Sequence, residues 1–390
     1  MAWPRMLRGV SRWEIKTHDG SRCFCRRDAP VLSARRWGVA EWLRSEGEWN
    51  ALLARSDADP LFMSWGWLTH WWQCYGDRLA RPPHILALYR AQTLVGLAPF
   101  YYRRVRRGGL LAHSAQLIGL SWRDPGPLVS QYLDVIAAPQ DSGSVRDACL
   151  QVLLEESAWQ ELVIGLTVAG PQWRLSLAAR EPSSRHYARE PDCSVSYQAD
   201  LAGGFHAYLD RLSQSTRRSM WNLRRRLEMH GGVRLELVAA HEVAVGFDEL
   251  NRLHQLRWNK PAFSGTRLAF HLDLARRLAT AGELALSRLR VGSEVVSVLY
   301  DIRKGTRQYN IKMAFDPRFD FRLSLGVMHL GYAMEAAAER GVTVYDFLAG
   351  HGQKNDYKRH LGQTRRSLSC VQVLRGRLLP ALYRWYDGVR

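Results

Sequence analysis

Three polar side chains in the last part of the chain have types and positions that suit proton transfer. Asp346 stands between two aromatic residues on a predicted strand, and His351 and Lys358 follow in and after a polar loop. A carboxylate among aromatic side chains either pairs with a cation or has a raised pKa. Because ligands of open α/β sheets collect beyond the carboxyl ends of strands, we assign these three residues to a catalytic site. A structural salt bridge for Asp346 and a solvated loop position for His351 are the alternatives.

A predicted helix begins at Ser324, and its first turn is a candidate anion site. The first N–H groups of a helix have no partner within it and lie at the positive end of its dipole. Gly326 would let a phosphate approach the backbone, and Arg322 adds a cation nearby. We therefore assign Arg322, Ser324, Leu325 and Gly326 to binding of a phosphate-containing cofactor. The same residues also fit an ordinary serine N-cap followed by a glycine at a packing contact.

The predicted strand from Arg307 to Phe315 carries a lysine in its middle. Strand side chains alternate between faces, which predicts that Tyr309 and Lys312 point to opposite sides. A lysine within an apolar strand either extends its amine to solvent or serves a cleft. We assign Tyr309, Lys312 and Trp258 to substrate binding.

The elements that position these residues form a mixed α/β pattern. Strands at 283–290, 294–302 and 307–315 are separated by short glycine-containing loops, which predicts an antiparallel meander. A helix at 324–340 and a strand at 342–348 then form a crossover, so that two parallel strands can diverge beside the helix N-terminus. We expect an α/β (α+β) fold in which mixed sheets are flanked by helices.

Length and composition predict more than one domain. The chain has 390 residues, 46% of them hydrophobic and 24% charged, which excludes a disordered or disulfide-framework protein. A polar, proline-containing stretch at 178–192 is the best domain boundary. We therefore divide the chain into an N-terminal arm at 1–35, a first domain at 36–193 and a second domain at 194–390.

From about Val195 to Gly362, the order of these elements resembles the GNAT superfamily of acyl-CoA-dependent N-acyltransferases. The segments 253–258 and 345–350 resemble the CelD-type (BioF2-like) acetyltransferase branch, which is linked to bacterial polysaccharide synthesis. The segment from Tyr357 to Gly362 is similar to the Phe-Lys-x-x-Phe-Gly segment of the Fem-type aminoacyltransferases, which carry two GNAT-like domains. The resemblance implies tandem GNAT-like domains, of which the first is degenerate, and implies that Lys358 steadies negative charge.

The resemblance implies an N-acyltransferase that moves an acyl group from acetyl-CoA or another acyl-CoA to a primary amine of a sugar, peptide or small metabolite. The implied setting is cell-envelope polysaccharide synthesis. The superfamily's pyrophosphate loop reads Gln/Arg-x-x-Gly-x-Gly/Ala, whereas residues 321–326 read Phe-Arg-Leu-Ser-Leu-Gly. Because two of the three fixed positions differ, two alternatives stay open: a Fem-type transferase that uses aminoacyl-tRNA, and a scaffold of polysaccharide synthesis without catalysis.

The charge of the chain points to an acidic partner. Its formal net charge is +18, and the predicted helix at 215–230 exposes several arginines between Arg217 and Arg226. This helix fits an anionic membrane surface, tRNA or solvent alone. No transmembrane segment, metal-ligand spacing or P-loop is evident in the sequence, so we expect no metal and a cytoplasmic protein, with a peripheral position on the inner membrane as the alternative.

Overall fold

The computed structural model describes residues 14–18, 21–26, 29–79, 81–124, 128–180, 186–350 and 357–389. Two compact units divide the chain: residues 1–193 together with 368–390, and residues 194–367. The first unit's N-terminal part ends at residue 193, which is the residue at which the sequence analysis places the end of its first predicted domain. Residues 368–390, which we expected in the second domain, belong to the first unit because their strand pairs with a strand of that unit.

The elements in the first half of the chain are strands β1–β8 and helices α1–α5. In chain order they are β1 (Glu14–His18), β2 (Ser21–Arg26), β3 (Ala29–Trp37), α1 (Val39–Arg44), α2 (Glu46–Ala54), α3 (Trp65–Tyr75), β4 (His84–Arg90), β5 (Thr93–Arg107), β6 (Leu110–Leu117), β7 (Ile136–Ala137), α4 (Ser142–Glu155), β8 (Glu161–Thr167) and α5 (Gly170–Ala178).

The described part of the second half begins with a long strand and contains eight α-helices. In chain order the elements are β9 (His186–Asp200), α6 (Gly204–Asp210), α7 (Gln214–Arg217), α8 (Arg224–Glu228), β10 (Val233–Leu237), α9 (Val243–Trp258), α10 (Gly265–Thr280), β11 (Leu284–Val291), β12 (Glu294–Lys304), β13 (Arg307–Phe315), α11 (Leu325–Glu339), β14 (Val344–Asp346), α12 (Lys358–Leu361), β15 (Thr364–Arg375) and α13 (Leu378–Gly388).

The sheet of the first unit has the strand order β1-β2-β3-β4-β5-β6-β8-β15, with β7 on β5. Only β6 and β8 pair in parallel among these described strands. Part of the predicted N-terminal arm forms β1, β2 and the start of β3, which extend the edge of this sheet. The tryptophan-rich helix α3 begins where the Ser64 hydroxyl accepts the Trp67 N–H, and it buries Trp67 and Trp71.

The sheet of the second unit has the order β9-β14-β13-β12-β11-β10. The meander of β11, β12 and β13 is antiparallel, as expected, and its turns contain Gly292 and Gly305 with positive φ. Helix α11 is the crossover between β13 and β14, which pair in parallel. Met328 and Met334 on α11 are fully buried, so α11 packs against the hydrophobic core of this unit through its apolar side chains.

The predicted basic helix at 215–230 is not continuous. Helix α7 ends at Arg217, a single π-helical turn covers Arg218–Asn222, and α8 starts at Arg224. Met220 within the π turn is buried, and a Cβ on Gly331 of α11 would lie 2.6 Å from its Cγ. The close approach of the turn to α11 therefore requires glycine at this position.

His329 of α11 contacts two serine hydroxyl groups of the meander. The ring nitrogens of His329 lie 3.0 Å from Ser287 Oγ and 2.8 Å from Ser297 Oγ. Complete burial lowers the pKa of His329 to about 3, so the ring is neutral at physiological pH. Although serine and histidine are in contact here, all three side chains are buried in the core and serve packing.

Candidate functional site

An opening between β13 and β14 is the candidate functional site. The two parallel strands pair at three positions, of which the last joins Tyr309 to Asp346. Strand β14 ends there, while β13 continues to Phe315. Beyond Tyr309, β13 has no β14 partner, so the pairing of the two strands ends on the side where α11 begins, and this place is named the opening.

A bulge in β13 decides which side chains share a face. Tyr300 of β12 is opposite Lys312, but the next residue, Asp301, is opposite Asn310, so Ile311 is an extra residue. An extra residue inverts the alternation beyond it. Tyr309 and Lys312 therefore lie on the same face of the sheet, and the prediction that they point to opposite faces is wrong.

Asp346 lies fully buried at the base of the opening. Its carboxylate accepts hydrogen bonds from Gln198 Nε2 at 2.7 Å and from the Leu348 backbone N–H at 2.8 Å, and Arg307 Nη1 is 3.9 Å away. Two hydrogen bonds thus hold the carboxylate in place. This geometry suits a residue that positions its neighbours.

Lys358 is the buried cation next to this carboxylate. Its Nζ donates to the Leu348 carbonyl oxygen at 3.1 Å. The pKa of Lys358 is lowered to about 8, mainly by burial; the Asp346 carboxylate acts in the opposite direction, and the charge of Lys312 adds to the lowering. An amine with this pKa exists in both protonation states near neutral pH, which makes it suited to holding or transferring a proton.

Lys312 and the end of α9 line the other side of the opening. Burial and the nearby charge of Lys260 lower the pKa of Lys312. The charge of Lys312 in turn helps burial to lower the pKa of His254, whose ring stacks on that of Trp258 at 6.2 Å. Electrostatic coupling therefore links Lys312 to His254 as well as to Lys358.

The tautomer of His254 follows from its hydrogen bond. Its Nδ1 lies 2.7 Å from the Lys260 carbonyl oxygen, which can only accept. Nδ1 must therefore carry the proton, and the neutral ring has its lone pair on Nε2. The sequence alone does not identify His254, because a histidine on an amphipathic helix gives no signal of its own.

The N-terminus of α11 lies beside the same part of β13. Ser324 is exposed, and within the described chain its hydroxyl caps no amide of the helix. Leu325 and Gly326 are buried, and a Cβ on Gly326 would lie 2.8 Å from Met313 Cε and 3.0 Å from Phe315 Cε1. The glycine therefore permits close packing of α11 on β13, which is the alternative stated for it above.

Arg322 is less available than its sequence position suggests. Its side chain is exposed, but its Nε and Nη2 donate to both oxygens of Asp320 at 2.8 and 2.9 Å. Asp320 also receives Arg226 Nε at 3.3 Å. The hydrogen bonds from Arg322 lower the pKa of Asp320, so the carboxylate is charged and offsets the cation near the start of α11.

A buried polar network lies on the face of the sheet opposite to Lys312 and Asp346, and the sequence does not predict it. Asp301 accepts hydrogen bonds from Gln308 Nε2 at 2.7 Å, Asn310 Nδ2 at 2.9 Å and Tyr345 Oη at 2.5 Å. Burial raises its pKa to about 6, although all three hydrogen bonds act in the opposite direction. The only signal in the sequence is a carboxylate and an amide within strands that are otherwise largely apolar.

Most arginines of the predicted basic helix at 215–230 have an ion-pair partner. Arg224 Nη1 lies 2.6 Å from Glu335 and its guanidinium stacks 3.8 Å from the Tyr332 ring centroid, while Arg226 contacts Asp320. Arg217 lies 3.6 Å from Asp210. Among the described residues, only Arg218 and Arg225 of this segment have no ion-pair partner, so the segment offers less free charge to a polyanion than its composition suggests.

His351 lies outside the described residues, as does the loop 351–356. Within the described ranges, no group of three or more His, Cys, Asp or Glu residues is arranged to hold a metal ion. No helix in this part of the chain is long and apolar enough to cross a membrane. The structure thus brings Tyr309, Lys312, Asp346 and Lys358 to one opening, with Trp258 next to His254.

Comparisons with known proteins concern the family and the fold. Residues 214–359 match the family model of the acetyltransferase (GNAT) domain. The fold is similar to the crystal structure of FemX, with a TM-score of 0.55 and 12% identity over 83% of this chain and 95% of that chain. It is also similar to a conserved protein of unknown function from Bacteroides thetaiotaomicron, with a TM-score of 0.54 and 12% identity over 85% and 97% of the two chains. A comparison with curated proteins finds no match.

Proposed function

We propose, starting from the acetyltransferase (GNAT) domain at residues 214–359, that this protein is an N-acyltransferase with its reaction centre in the opening between β13 and β14. The proposed donor is acetyl-CoA or another acyl-CoA, and the acceptor is a primary amine. The observation that carries the proposal is the gathering of Lys312, Lys358 and a neutral His254 around the point where the two strands separate.

The reaction needs a bond exchange at the thioester carbonyl carbon. The acceptor nitrogen forms a C–N bond to this carbon and gives up a proton, and the carbonyl oxygen becomes an oxyanion. Collapse of the tetrahedral intermediate breaks the C–S bond, and the coenzyme A thiolate leaves and takes up a proton. The site must therefore stabilise one negative oxygen, accept one proton and return one.

Lys358 in its protonated form is suited to stabilising the oxyanion, because a desolvated cation interacts strongly with developing charge. Asp346 is the positioning residue in this proposal, since its charge favours the protonated form of Lys358 and its carboxylate holds the Leu348 amide. Nε2 of His254 is the proposed proton acceptor. Tyr309, Lys312 and Trp258 would form the surrounding wall against acceptor and donor.

The first turn of α11 is the proposed position of the donor's diphosphate. A helix of this length presents free N–H groups and a positive dipole end, and Ser324 there is exposed to solvent. Arg322 contributes less than its charge implies, since Asp320 holds it. Backbone amides, and not side-chain cations, would then provide most of the affinity for phosphate.

The proposal is tested by calorimetric titration with acetyl-CoA and longer acyl-CoA thioesters, followed by an assay of free thiol release with amino sugars and amino-terminated peptides as acceptors. Binding together with a rate that falls about a hundredfold in Lys358→Ala supports the assignment. Absence of binding heat with every thioester excludes the donor. Binding of a thioester together with rates that His254→Ala, Asp346→Asn, Lys358→Ala and His351→Ala all leave unchanged would show that the site is wrong.

A second candidate donor is aminoacyl-tRNA, which we infer from the likeness of residues 357–362 to the Fem-type segment. Arg218 and Arg225 are the arginines of the basic segment that remain available to phosphate. A gel shift with tRNA that weakens steeply with salt would favour this donor. For the acyl-CoA-dependent transferase, the CelD-type resemblance supports a role in cell-envelope polysaccharide synthesis, with a peripheral position on the inner membrane.

A further inference from the structure

The face of β13 that carries Lys312 is rich in positive charge. Lys312 is partly buried on this strand. Burial lowers its pKa, and the charge of Lys260 adds to the lowering. Burial also lowers the pKa of His254, and the charges of both lysines contribute to this change. Because the charge of Lys312 acts on Lys358 as well, three lysines lie in one neighbourhood beside the opening.

Carboxylates do little to balance this charge. Within the described ranges, the side chains of Lys312 and Lys260 have neither an ion-pair partner nor a hydrogen bond. Asp346 offsets part of the charge of Lys358, but it is fully buried and already accepts two hydrogen bonds. Asp301 accepts its three hydrogen bonds on the opposite face of the sheet. Since burial disfavours a cation without a partner, Lys312 gains from contact with an anion.

Lys312 points away from the side of the sheet on which α11 begins. The next residue, Met313, faces α11, because its Cε would lie 2.8 Å from a Cβ on Gly326. Both residues pair with β12 without a bulge between them, so their side chains lie on opposite faces. Tyr300, the β12 partner of Lys312, contacts Phe247 of α9 with ring centroids 5.0 Å apart. Lys312 therefore lies on the side of the sheet that α9 covers, named here the α9 side.

The two substrates of the proposed reaction would then occupy different sides of the sheet. The donor's diphosphate is assigned to the first turn of α11, so the acceptor reaches the opening from the α9 side. Pairing with β14 ends at Tyr309, which is three residues before Lys312 and therefore at most about 10 Å away along the strand. An amine at the opening and an anionic group at Lys312 can thus belong to one small molecule.

We propose that the acceptor of the acyl group carries a carboxylate or a phosphate in addition to its amine, and that Lys312 binds this anionic group on the α9 side. The inference rests on the proposed acyl transfer and names the class of its acceptor. Lys260 supplies a second positive charge to the same group. An amine without an anionic group leaves Lys312 unpaired when it enters the site, so it binds more weakly.

The experiment compares acceptors that differ in the anionic group alone. Glucosamine 6-phosphate is compared with glucosamine, and β-alanine with β-alaninamide, in the assay of thiol release from acetyl-CoA. We expect kcat/KM to be at least about tenfold higher for the charged member of one pair, which also shows whether phosphate or carboxylate is preferred. Lys312→Met should reduce this preference by about tenfold to a hundredfold, because the charge-assisted contact is lost.

Lys304→Met is the matched control. Lys304 lies at the far end of β12, where it pairs with Glu283 at 2.8 Å, so this change removes a lysine charge from the same sheet away from the opening. The preference for the charged acceptor should be unchanged in Lys304→Met and largely retained in Lys312→Arg. The midpoint temperature of Lys312→Met should equal or exceed that of the unmodified chain, because burial disfavours the charge of Lys312. A lower midpoint with equal losses for both members of a pair would show a structural lysine and overturn the inference.

Equal kcat/KM values within both pairs would also overturn the inference, as would a preference that persists in Lys312→Met. Calorimetric titration of glucosamine 6-phosphate and β-alanine without a thioester separates this inference from the proposed reaction. Binding that Lys312→Met weakens supports the anion site even where no thioester binds. Binding of a thioester without binding of either anionic amine leaves the proposed donor in place and overturns the anion site.

Discussion

Replacing Ser324 at the start of α11 with aspartate should weaken donor binding without lowering the stability of the helix. Ser324 is the N-cap of this 15-residue helix, and it is exposed. Aspartate is as favourable as serine at an N-cap, and its charge interacts favourably with the helix dipole by about 0.3–1 kcal/mol. Ser324→Asp should therefore keep or slightly raise the free energy of unfolding, with a midpoint temperature equal to or a few degrees above that of the unmodified chain.

The same change should oppose a diphosphate bound at the first turn. At roughly 6 Å, two unit charges of the same sign repel by about 0.7 kcal/mol in water and about 3 kcal/mol at the effective dielectric of a protein surface. Salt with a Debye length of about 8 Å reduces this effect. For a diphosphate we expect a net cost of about 1–2 kcal/mol, which is about a 5- to 30-fold rise in the Kd for acyl-CoA.

Isothermal titration with acetyl-CoA measures this Kd. Ser324→Asn is the control, because asparagine has the size of aspartate without its charge. The expected pattern is a weakened Kd in Ser324→Asp only, and a weaker effect at high salt. An unchanged Kd in Ser324→Asp would refute the placement of the diphosphate at α11, even if the chain binds acyl-CoA. Equal weakening in both variants would point to lost shape and not to charge.

Four further outcomes are expected. The pKa of about 8 for Lys358 predicts that kcat/KM falls above about pH 8 as the lysine loses its proton, and that Lys358→Arg removes this limb of the pH profile; a profile unchanged in the variant would contradict the role. Asp301→Asn should lower the free energy of unfolding by about 1–3 kcal/mol in urea titration, because an amide cannot accept from three donors, while the exposed Asp210→Asn should have little effect. The pKa of His329 is about 3 in the folded chain and about 6.5 in the unfolded chain, so between these values the unfolded chain binds more protons and the free energy of unfolding falls as the pH drops. His329→Asn should reduce the slope of the free energy of unfolding against pH by about 1.4 kcal/mol per pH unit in this window. An unaltered slope would argue against a neutral buried ring. If tRNA is the donor, Arg225→Ala should reduce the salt dependence of a filter-binding Kd by about one unit of slope, and a salt-independent Kd would exclude this reading.

Local patterns in the sequence predicted several elements of the second unit. The glycine-containing loops and apolar runs predicted the meander of β11–β13, and the Ser324 start predicted α11, because turns and helix caps depend on neighbouring residues. The predicted basic helix at 215–230 is an exception, because it is interrupted. Its π turn at Arg218–Asn222 is set by contact with Gly331, far away in the chain.

At the site, the sequence identified as candidates Tyr309 and Lys312 within one predicted strand, Asp346 on another and Lys358 after a polar loop. It did not supply their arrangement, because a single extra residue at Ile311 inverts the faces of β13 and only the pairing with β12 reveals it. Nor did it supply the lowered pKa of Lys358, since desolvation depends on what surrounds a side chain in space. Identity and order of groups are local properties of a chain, whereas burial, register and charge coupling arise only when distant segments meet.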